Sequence, residues 1–256
     1  MTDPVVSAPR QSLLPFRLRE AATFDNYRVP DQRAGIGATG SGHPARNDIR
    51  EILKQQLRYE EASLWFTWVW GEQGAGRTHL LQAACRHAGD HGLRAAYVPL
   101  TELPSPDALD GLSGFNLLCL DDLDSVLGDA GWEQALFMLI NEFRDSINAG
   151  GRQALVVSAR AAPGAQSVAL MDLSTRLLTA LPLACPRLGD EEKLALIRQK
   201  ARGRGIELPD EAASYILHRL DRNPGHLLRA LDKLDEASLM DQKRVTIPFI
   251  KQVLNL

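Results

Sequence analysis

An apolar run that ends abruptly in a glycine-rich loop constrains the fold of this chain more than any other feature. Residues 64–78 read LWFTWVWGEQGAGRT, with aliphatic and aromatic side chains before Gly71 and glycines at three of the next positions from 71 to 76. A continuous apolar run bounded by turn residues is typical of a strand buried on both faces. The loop after it fits the pattern G-x-x-x-x-G-K-S/T at every fixed position except one. The sequence therefore predicts a buried strand that leads into a phosphate-binding loop.

The exception is Arg77, which stands where the pattern has lysine. Glycines let backbone N–H groups turn toward phosphate oxygens, and the helix predicted to begin near Thr78 adds the positive end of its dipole. Arginine keeps the positive charge, but its guanidinium is a broad planar fork whereas lysine is a compact point charge. We therefore expect tight nucleotide binding with slow hydrolysis or none; the alternative is a glycine-rich turn without a ligand. The predicted nucleotide-binding residues are Gly71, Gln73, Gly74, Ala75, Gly76, Arg77 and Thr78, and the Thr78 hydroxyl is also a predicted Mg²⁺ ligand.

Beyond residue 47, apolar strands alternate with amphipathic helices, which predicts an α/β fold with a parallel five-stranded sheet covered by helices on both faces. A helix begins at Asn47 or Asp48, a second follows the loop, and a long one spans 132–147. The further strands are predicted at 95–98, 117–120, 155–158 and 181–183.

After about residue 190 the strand pattern stops, and four helices are predicted, the last one following Pro248. They form a small all-α domain of the kind that can close over a nucleotide like a lid. In residues 1–46, prolines at 4, 9, 15 and 30 are followed by a loop with glycines at 35, 37, 40 and 42, which predicts a tail and a linker. The G-x-G-x-x-G match at 35–40 has no strand before it and is discounted. The predicted domains are a tail at 1–22, a nucleotide-binding α/β domain at 23–188 and a helical lid at 189–256.

Composition excludes several classes of protein. The 256 residues are 45% hydrophobic, enough for a full core, and the net charge of −3 gives no global attraction to nucleic acid or to an anionic membrane. The longest apolar run is far shorter than the ~20 residues that span a bilayer. The cysteines at 85, 119 and 185 each lie among apolar residues, so buried free thiols are expected. A cytoplasmic protein without a membrane partner is predicted.

Two carboxylates end the third predicted strand, which reads LLCLDD at 117–122. Carboxylates at the end of a buried strand are costly unless a cation meets them, and near a phosphate-binding loop that cation is Mg²⁺. We predict that Asp121 holds the metal and that Asp122 orients a water molecule, the alternative being a solvated Asp-Asp turn. Ser158 ends the fourth strand and could contact the terminal phosphate, although serine also ends strands for turn chemistry.

Together these residues resemble the AAA+ family, and within it the DnaA-related proteins, most closely the Hda-type regulators. The segment TFDNY at 23–27 looks like the one that lies near the adenine in DnaA, which implies that Phe24 and Tyr27 contact the nucleotide. The loop GAGRTH at 74–79 is similar to the arginine-bearing loop of the regulators, which adds His79 to the site. The ending TIPFIKQVLNL at 246–256 looks like their C terminus. The resemblance covers nearly the whole chain.

The N-terminal segment QSLLPF at 11–16 is similar to the hexapeptide with which these regulators dock on the DNA polymerase III beta sliding clamp. The resemblance implies that Gln11 bonds at the rim of the clamp pocket while Leu14 and Phe16 fill its groove. Ser12 departs from the usual leucine, which lowers the expected affinity. The alternative is a disordered tail.

Two arginines complete the predicted site. Arg176, in DLSTR at 172–176, matches the arginine that AAA+ initiators project onto a neighbour's nucleotide, and its alternative role is to stabilise a helix end. The lid arginine that contacts phosphates in the family falls at Gly225 in the best register, so Arg222 is the nearest substitute. This departure weakens the case for hydrolysis in the chain's own site.

The resemblance implies a regulator that binds ADP or ATP with Mg²⁺, docks on the clamp, and stimulates ATP hydrolysis by DnaA through Arg176. The implied partners are DnaA, the clamp and a second copy of the chain, with DNA reached mainly through the clamp. The helices at 209–239 mix acidic and basic residues, which gives no basic face for DNA. Two alternatives stay open, namely an autonomous AAA+ ATPase such as a helicase loader, and a DnaA-related adaptor without a hydrolytic role.

Overall fold

The computed structural model describes residues 18, 22–27, 48–58, 65–220, 223–241 and 245–256. Within these ranges, five strands form one sheet in the order β2-β3-β4-β1-β5, and every neighbouring pair is parallel. The predicted α/β architecture is therefore confirmed. The strands are β1 (Phe66–Trp70), β2 (Ala95–Pro99), β3 (Leu117–Asp121), β4 (Ala154–Ala159) and β5 (Leu181–Ala184).

Eight α-helices lie in the described part of the chain. Four of them belong with the sheet: α1 (Ile49–Arg58), α2 (Arg77–Asp90), α3 (Ala130–Asn148) and α4 (Met171–Leu177). The other four follow it: α5 (Asp190–Gly203), α6 (Asp210–Arg219), α7 (Pro224–Asp241) and α8 (Ile247–Leu254). Among the described residues, those up to Cys185 form one compact unit except for Gln73–Ala75, which group with the residues from Pro186 onwards in a second unit.

The central strands β3 and β4 are buried along their whole length. Alternate residues of a strand point to opposite faces of the sheet, and one face packs against α3 and α4 in a single apolar core. Contacts between α2 and the strands β2, β3 and β4 cover the other face. Helices cover both faces of these strands, so residues that point to either face are apolar. The strand sequences are therefore continuous apolar runs and do not alternate between apolar and polar residues.

The second unit has its own apolar core, built from α5, α6, α7 and α8. Ile197, Ile216 and Leu231 are fully buried in it. The helix α6 starts directly after Pro209, as the sequence predicts, because proline suits a helix start where no N–H donor is needed. Thr246 caps α8 by accepting a hydrogen bond from the Phe249 N–H.

Several short elements are not predicted by the sequence pattern. The helix α4 was not predicted, although it carries Arg176. Short 3-10 turns also interrupt the connections around β3 and after β4, at Leu100–Glu102, Pro106–Leu109, Leu112–Gly114, Leu123–Ser125 and Pro163–Ala165. Elements of three to seven residues are too short to display a helical hydrophobic period.

Two further findings bear on the predicted class. None of the helices in the described ranges is both long and apolar enough to cross a bilayer. Cys85, Cys119 and Cys185 are buried free thiols, as expected.

The first testable expectation concerns the core beneath α3. Phe143 is fully buried there, so Phe143→Ala should lower the free energy of unfolding by about 3–5 kcal/mol through lost burial and a residual cavity. Urea denaturation followed by circular dichroism measures this loss. Met138 lies on the same helix but is 56% exposed, so Met138→Ala should change the value by less than about 0.5 kcal/mol. Equal losses in the two variants would contradict this packing.

Candidate functional site

The loop between β1 and α2 turns at glycines that no other residue could replace without strain. Gly74 has φ +84° and Gly76 has φ +93°, both in the left-handed region that glycine adopts without steric cost. A Cβ atom at Gly76 would lie 2.7 Å from Cε2 of Tyr27. The backbone and a buried aromatic ring therefore both require glycine at this position.

Arg77, the first residue of α2, does not extend freely from the loop. Its Nη1 donates a hydrogen bond to the Gly71 carbonyl, and its Nη2 donates to Oδ1 of Asp122 at 2.8 Å. The side chain is only 9% exposed, and its buried Nε has no partner among the described residues. The guanidinium thus joins the residue after β1 to the residue after β3, across the end of β4.

Asp121, the last residue of β3, is buried and satisfied on both carboxylate oxygens. The Ser158 hydroxyl donates to Oδ1, and the Tyr97 hydroxyl donates to Oδ2 at 2.7 Å. Burial raises the pKa of Tyr97, and the negative charge of Asp121 raises it further. A hydroxyl held in its protonated form is a reliable donor, so Tyr97 keeps its hydrogen bond to Asp121.

Asp122 turns the chain away from the sheet with φ +54°, an uncommon conformation that aspartate tolerates better than most residues. Its N–H donates to the Ser158 hydroxyl at 2.9 Å, so Ser158 contacts both acidic residues. Burial raises the pKa of Asp122, as does the charge of Asp121, while Arg77 opposes them. The structure therefore brings the predicted residues Asp121, Asp122, Ser158 and Arg77 together in one hydrogen-bonded group.

Residues 22–27 lie against the two helices beside the loop. The Thr23 carbonyl is 2.8 Å from Nε2 of His79, and the Ala22 carbonyl accepts from Nε of Arg86 at 3.2 Å, both side chains belonging to α2. From α1, Arg50 donates to the Tyr27 carbonyl at 3.3 Å. The backbone of this short segment is thus held from two sides.

The two aromatic residues predicted to contact a nucleotide lie in different surroundings. Phe24 is buried, with its ring edge-to-face with His87 at 5.6 Å between centroids. Tyr27 is buried next to Gly76, with its ring centroid 5.9 Å from that of His79. Of the two rings, Tyr27 is therefore the one in direct contact with the loop.

A buried hydrogen bond fixes the Tyr27 ring from its far end. Burial raises the pKa of Tyr27, and its hydroxyl donates to the sulfur of Cys185, which follows β5 directly. Burial also raises the pKa of Cys185 to about 11, so the thiol stays protonated at neutral pH. This contact was not predictable from the sequence, since Cys185 reads as an ordinary core residue.

The residues present fit the groups that the loop pattern implies. Thr78 is half-buried at the second position of α2, and each oxygen of Asp121 keeps a lone pair beyond the hydrogen bond it accepts. No cluster of three or more His, Cys, Asp and Glu side chains that could hold a metal ion exists in the described ranges. A divalent cation here would therefore need further oxygens from a bound phosphate, as is usual for Mg²⁺.

Arg176 lies away from this group, near the end of α4. Its side chain is half-buried, and within the part of the chain that the structure describes it makes no hydrogen bond or ion pair. Leu173 and Leu177 of the same helix are buried in the main core. Arg222 and the three predicted clamp contacts, Gln11, Leu14 and Phe16, lie outside the described residues.

Comparison with known proteins agrees with the predicted resemblance. Residues 190–254 match the family model described as the Hda lid domain. Domain III of the replication initiation protein DnaA from Thermotoga maritima has the same fold, with a TM-score of 0.73 and 20% identity over 94% of this chain and 98% of that one. AMPPCP-bound DnaA from Aquifex aeolicus gives a TM-score of 0.61 with 21% identity over 87% of this chain and 66% of that one.

A third similar structure is the Holliday junction branch migration motor RuvB of Thermotoga maritima. It gives a TM-score of 0.58 and 16% identity, over 80% of this chain and 67% of that one. The shared fold and the matched lid confirm the predicted resemblance to DnaA-related AAA+ proteins. The chain spans about two thirds of the length of the AMPPCP-bound DnaA structure (66%).

The contact between Arg77 and Asp122 can be tested by titration. Arg77→Met removes the charge and the hydrogen bond that lower the pKa of Asp122, so this pKa should rise further above the usual aspartate value. The carboxyl ¹³C shift of Asp122 followed against pH measures it. Arg144→Met removes an arginine that pairs with Asp145 instead, and it should leave the Asp122 titration unchanged. An unchanged pKa in Arg77→Met would show that the two groups do not interact.

Proposed function

We propose that this chain binds ADP in the loop at 71–78 and stimulates ATP hydrolysis by the initiator DnaA, which limits the initiation of replication. One contrast between two arginines carries the proposal. Arg77 is committed to Asp122 within the chain, whereas the guanidinium of Arg176 has no partner in the described ranges. Arg77 therefore neutralises a carboxylate of the same chain, whereas Arg176 is available to a different protein.

Binding of a nucleotide is supported by the two left-handed glycines and by the helix that starts at Arg77 directly after them. Backbone N–H groups at such a helix start favour phosphate. The similar DnaA of Aquifex aeolicus was solved with AMPPCP bound. Mg²⁺, when bound, would neutralise phosphate charge, and Thr78 and Asp121 are the residues that would hold it. Tyr27, next to Gly76, is the better candidate for contact with the adenine.

Slow hydrolysis in the chain's own site follows from the same contacts. Asp122 is the residue expected to orient a water molecule, yet its Oδ1 accepts a charge-assisted hydrogen bond from Arg77. A carboxylate oxygen that already accepts a hydrogen bond from a guanidinium is less available to accept one from a water molecule. We therefore propose a nucleotide that is retained as ADP and acts mainly as a structural ligand.

Action on DnaA would require Arg176 to reach the phosphates bound by the partner. An arginine supplied from another protein neutralises charge that develops on the transferred phosphoryl group. Met171 at the start of α4 is 76% exposed, and Leu178, the residue after its end, is 60% exposed. These two side chains would add apolar area to a protein contact that includes Arg176. The match of residues 190–254 to the Hda lid supports this regulatory role over that of an autonomous ATPase.

The central experiment measures hydrolysis of labelled ATP bound to DnaA, with DNA-loaded clamp and this chain. Arg176→Ala should reduce the stimulated rate by about 10³-fold or more, because the transition-state charge is no longer neutralised. Its affinity for ADP should be unchanged. Arg152→Ala removes another exposed arginine and should leave the stimulation intact.

Two results would count against this function. Full stimulation by Arg176→Ala would favour an adaptor without a hydrolytic role. Rapid steady-state ATP turnover by the isolated chain would favour an autonomous ATPase such as a helicase loader.

Docking on the clamp is a separate part of the proposal and has its own test. Replacing Gln11 and Phe16 together by alanine should weaken binding to the isolated sliding clamp by about tenfold or more, since it removes a rim hydrogen bond and an apolar anchor. Surface plasmon resonance measures the dissociation constant. Ser12→Leu introduces the residue usual at this position and should tighten binding. If neither change alters the constant, the segment at 11–16 is not the docking motif.

A further inference from the structure

Glu133 is a buried carboxylate that the proposed chemistry does not use. It lies in the first part of α3 with 0% of its surface exposed. Its Oε1 accepts hydrogen bonds from the N–H groups of Gly128 at 2.8 Å and Ala169 at 3.1 Å, and its Oε2 accepts from the Leu170 N–H at 2.7 Å. All three donors belong to the backbone.

These donors come from two separate parts of the chain. Gly128 precedes α3, whereas Ala169 and Leu170 directly precede α4. Leu170 is the cap residue of α4, and no side chain of the cap itself bonds to this helix. Glu133 is therefore the side chain that ties the start of α4 to the helix beneath it.

The remaining anchors of α4 are apolar. Leu173 and Leu177 are buried in the core that also contains Leu136, Leu139 and Ile140 of α3. These two buried side chains set which face of the seven-residue helix is inward, but apolar contacts are non-directional and constrain its start less sharply than hydrogen bonds do. Hydrogen bonds are directional, and those from Glu133 set where α4 begins.

Glu133 remains ionised in its buried position. Burial alone raises its pKa, but the three backbone N–H donors lower it by more, so that its pKa is below the usual glutamate value. The negative charge of Asp129, which caps the start of α3, acts in the opposite direction and raises the pKa of Glu133. Charge-assisted hydrogen bonds are stronger and shorter than neutral ones, which suits a fixed attachment.

We propose that Glu133 is the positioning residue for Arg176: its carboxylate fixes the start of α4 and so sets the direction in which the Arg176 guanidinium is presented to a partner's phosphates. The inference rests on the proposed function of Arg176. Glu133 itself touches none of the residues of the loop at 71–78 in the contacts described above, so its effect on hydrolysis would run through α4 alone.

The attachment can be tested on the chain by itself. Glu133→Gln keeps one acceptor oxygen and replaces the other by an amide that cannot accept an N–H hydrogen bond. Backbone amides of residues 169–177 should then exchange with deuterium about tenfold faster, while those of α2 and α5 should be unchanged. Asp129→Asn is the matched control, because in the described ranges the Asp129 side chain accepts hydrogen bonds only from the N–H groups of Gly131 and Trp132 of α3. It should leave the exchange of α4 unaltered.

The link to Arg176 is tested with DnaA bound to labelled ATP, clamp and DNA. Glu133→Gln should lower the maximal stimulated rate by about 10²-fold, the usual cost of a misplaced catalytic group, without changing the affinity for ADP or the concentration giving half-maximal stimulation. The double variant Glu133→Gln with Arg176→Ala should be no slower than Arg176→Ala alone. Such non-additivity is expected only if one residue acts through the other.

The outcomes distinguish failure of the positioning role of Glu133 from failure of the proposed function of Arg176. Unchanged exchange at 169–177 in Glu133→Gln would overturn the positioning role, whatever DnaA does. An additive double variant would overturn it too, because Glu133 would then act elsewhere. If exchange accelerates but Arg176→Ala stimulates normally, the proposed function fails, and with it the link from Glu133 to hydrolysis. If Glu133→Gln does not fold, Leu170→Pro removes one of the three donors at a φ of −81° that proline tolerates, and it should show the same pattern. Leu170→Ala loses the same apolar packing but keeps the N–H donor, so it should leave the exchange at the start of α4 unaltered.

Discussion

The arrangement of the site depends on how the buried carboxylate of Asp121 is satisfied. A charge taken out of water is costly unless hydrogen bonds replace its hydration. The donors are Ser158 on β4 and Tyr97 on β2, and these are the two strands that flank β3 in the sheet. The order of the parallel strands therefore provides both donors. Because the carboxyl ends of parallel strands meet at one edge, the same order brings the loop after β1 to this group.

Arginine in the loop changes what the site can do, for a geometric reason. The two terminal nitrogens of Arg77 donate in different directions, one to the Gly71 carbonyl and one to Asp122. The compact ammonium of lysine has no planar fork with which to span the two acceptors. Arg77 thereby links the ends of β1 and β3 and neutralises Asp122. A phosphate that enters the loop must compete with that carboxylate for the same guanidinium.

The sequence predicted the elements of the site better than their contacts. The apolar run before Gly71 and the pair Asp121–Asp122 after a buried strand were sufficient to predict the glycine-rich turn between β1 and α2 and the acidic edge of the sheet. The direction of Arg77 was not predictable, because a loop pattern does not say which acceptor a flexible side chain meets. Tyr97 reads as one more apolar strand residue. Glu133 accepts hydrogen bonds from backbone amides up to 37 positions away. Because almost every residue has a backbone N–H, the sequence does not indicate which ones act as donors to Glu133.

In the described ranges two acidic residues are nearly or fully buried, Asp121 and Glu133, and they differ in a way that bears on the proposed division of roles between the arginines. Asp121 accepts hydrogen bonds from two hydroxyl groups next to the loop at 71–78, where Asp122 also forms an ion pair with Arg77. Glu133 is held by backbone amides, so it fixes α4 without drawing in an arginine. An arginine that is to reach another protein's phosphates loses strength to any carboxylate that binds it within its own chain, since the two charge-assisted bonds compete. Glu133 adds no such competitor, because its oxygens are occupied by backbone N–H groups and it anchors the helix without binding the Arg176 guanidinium.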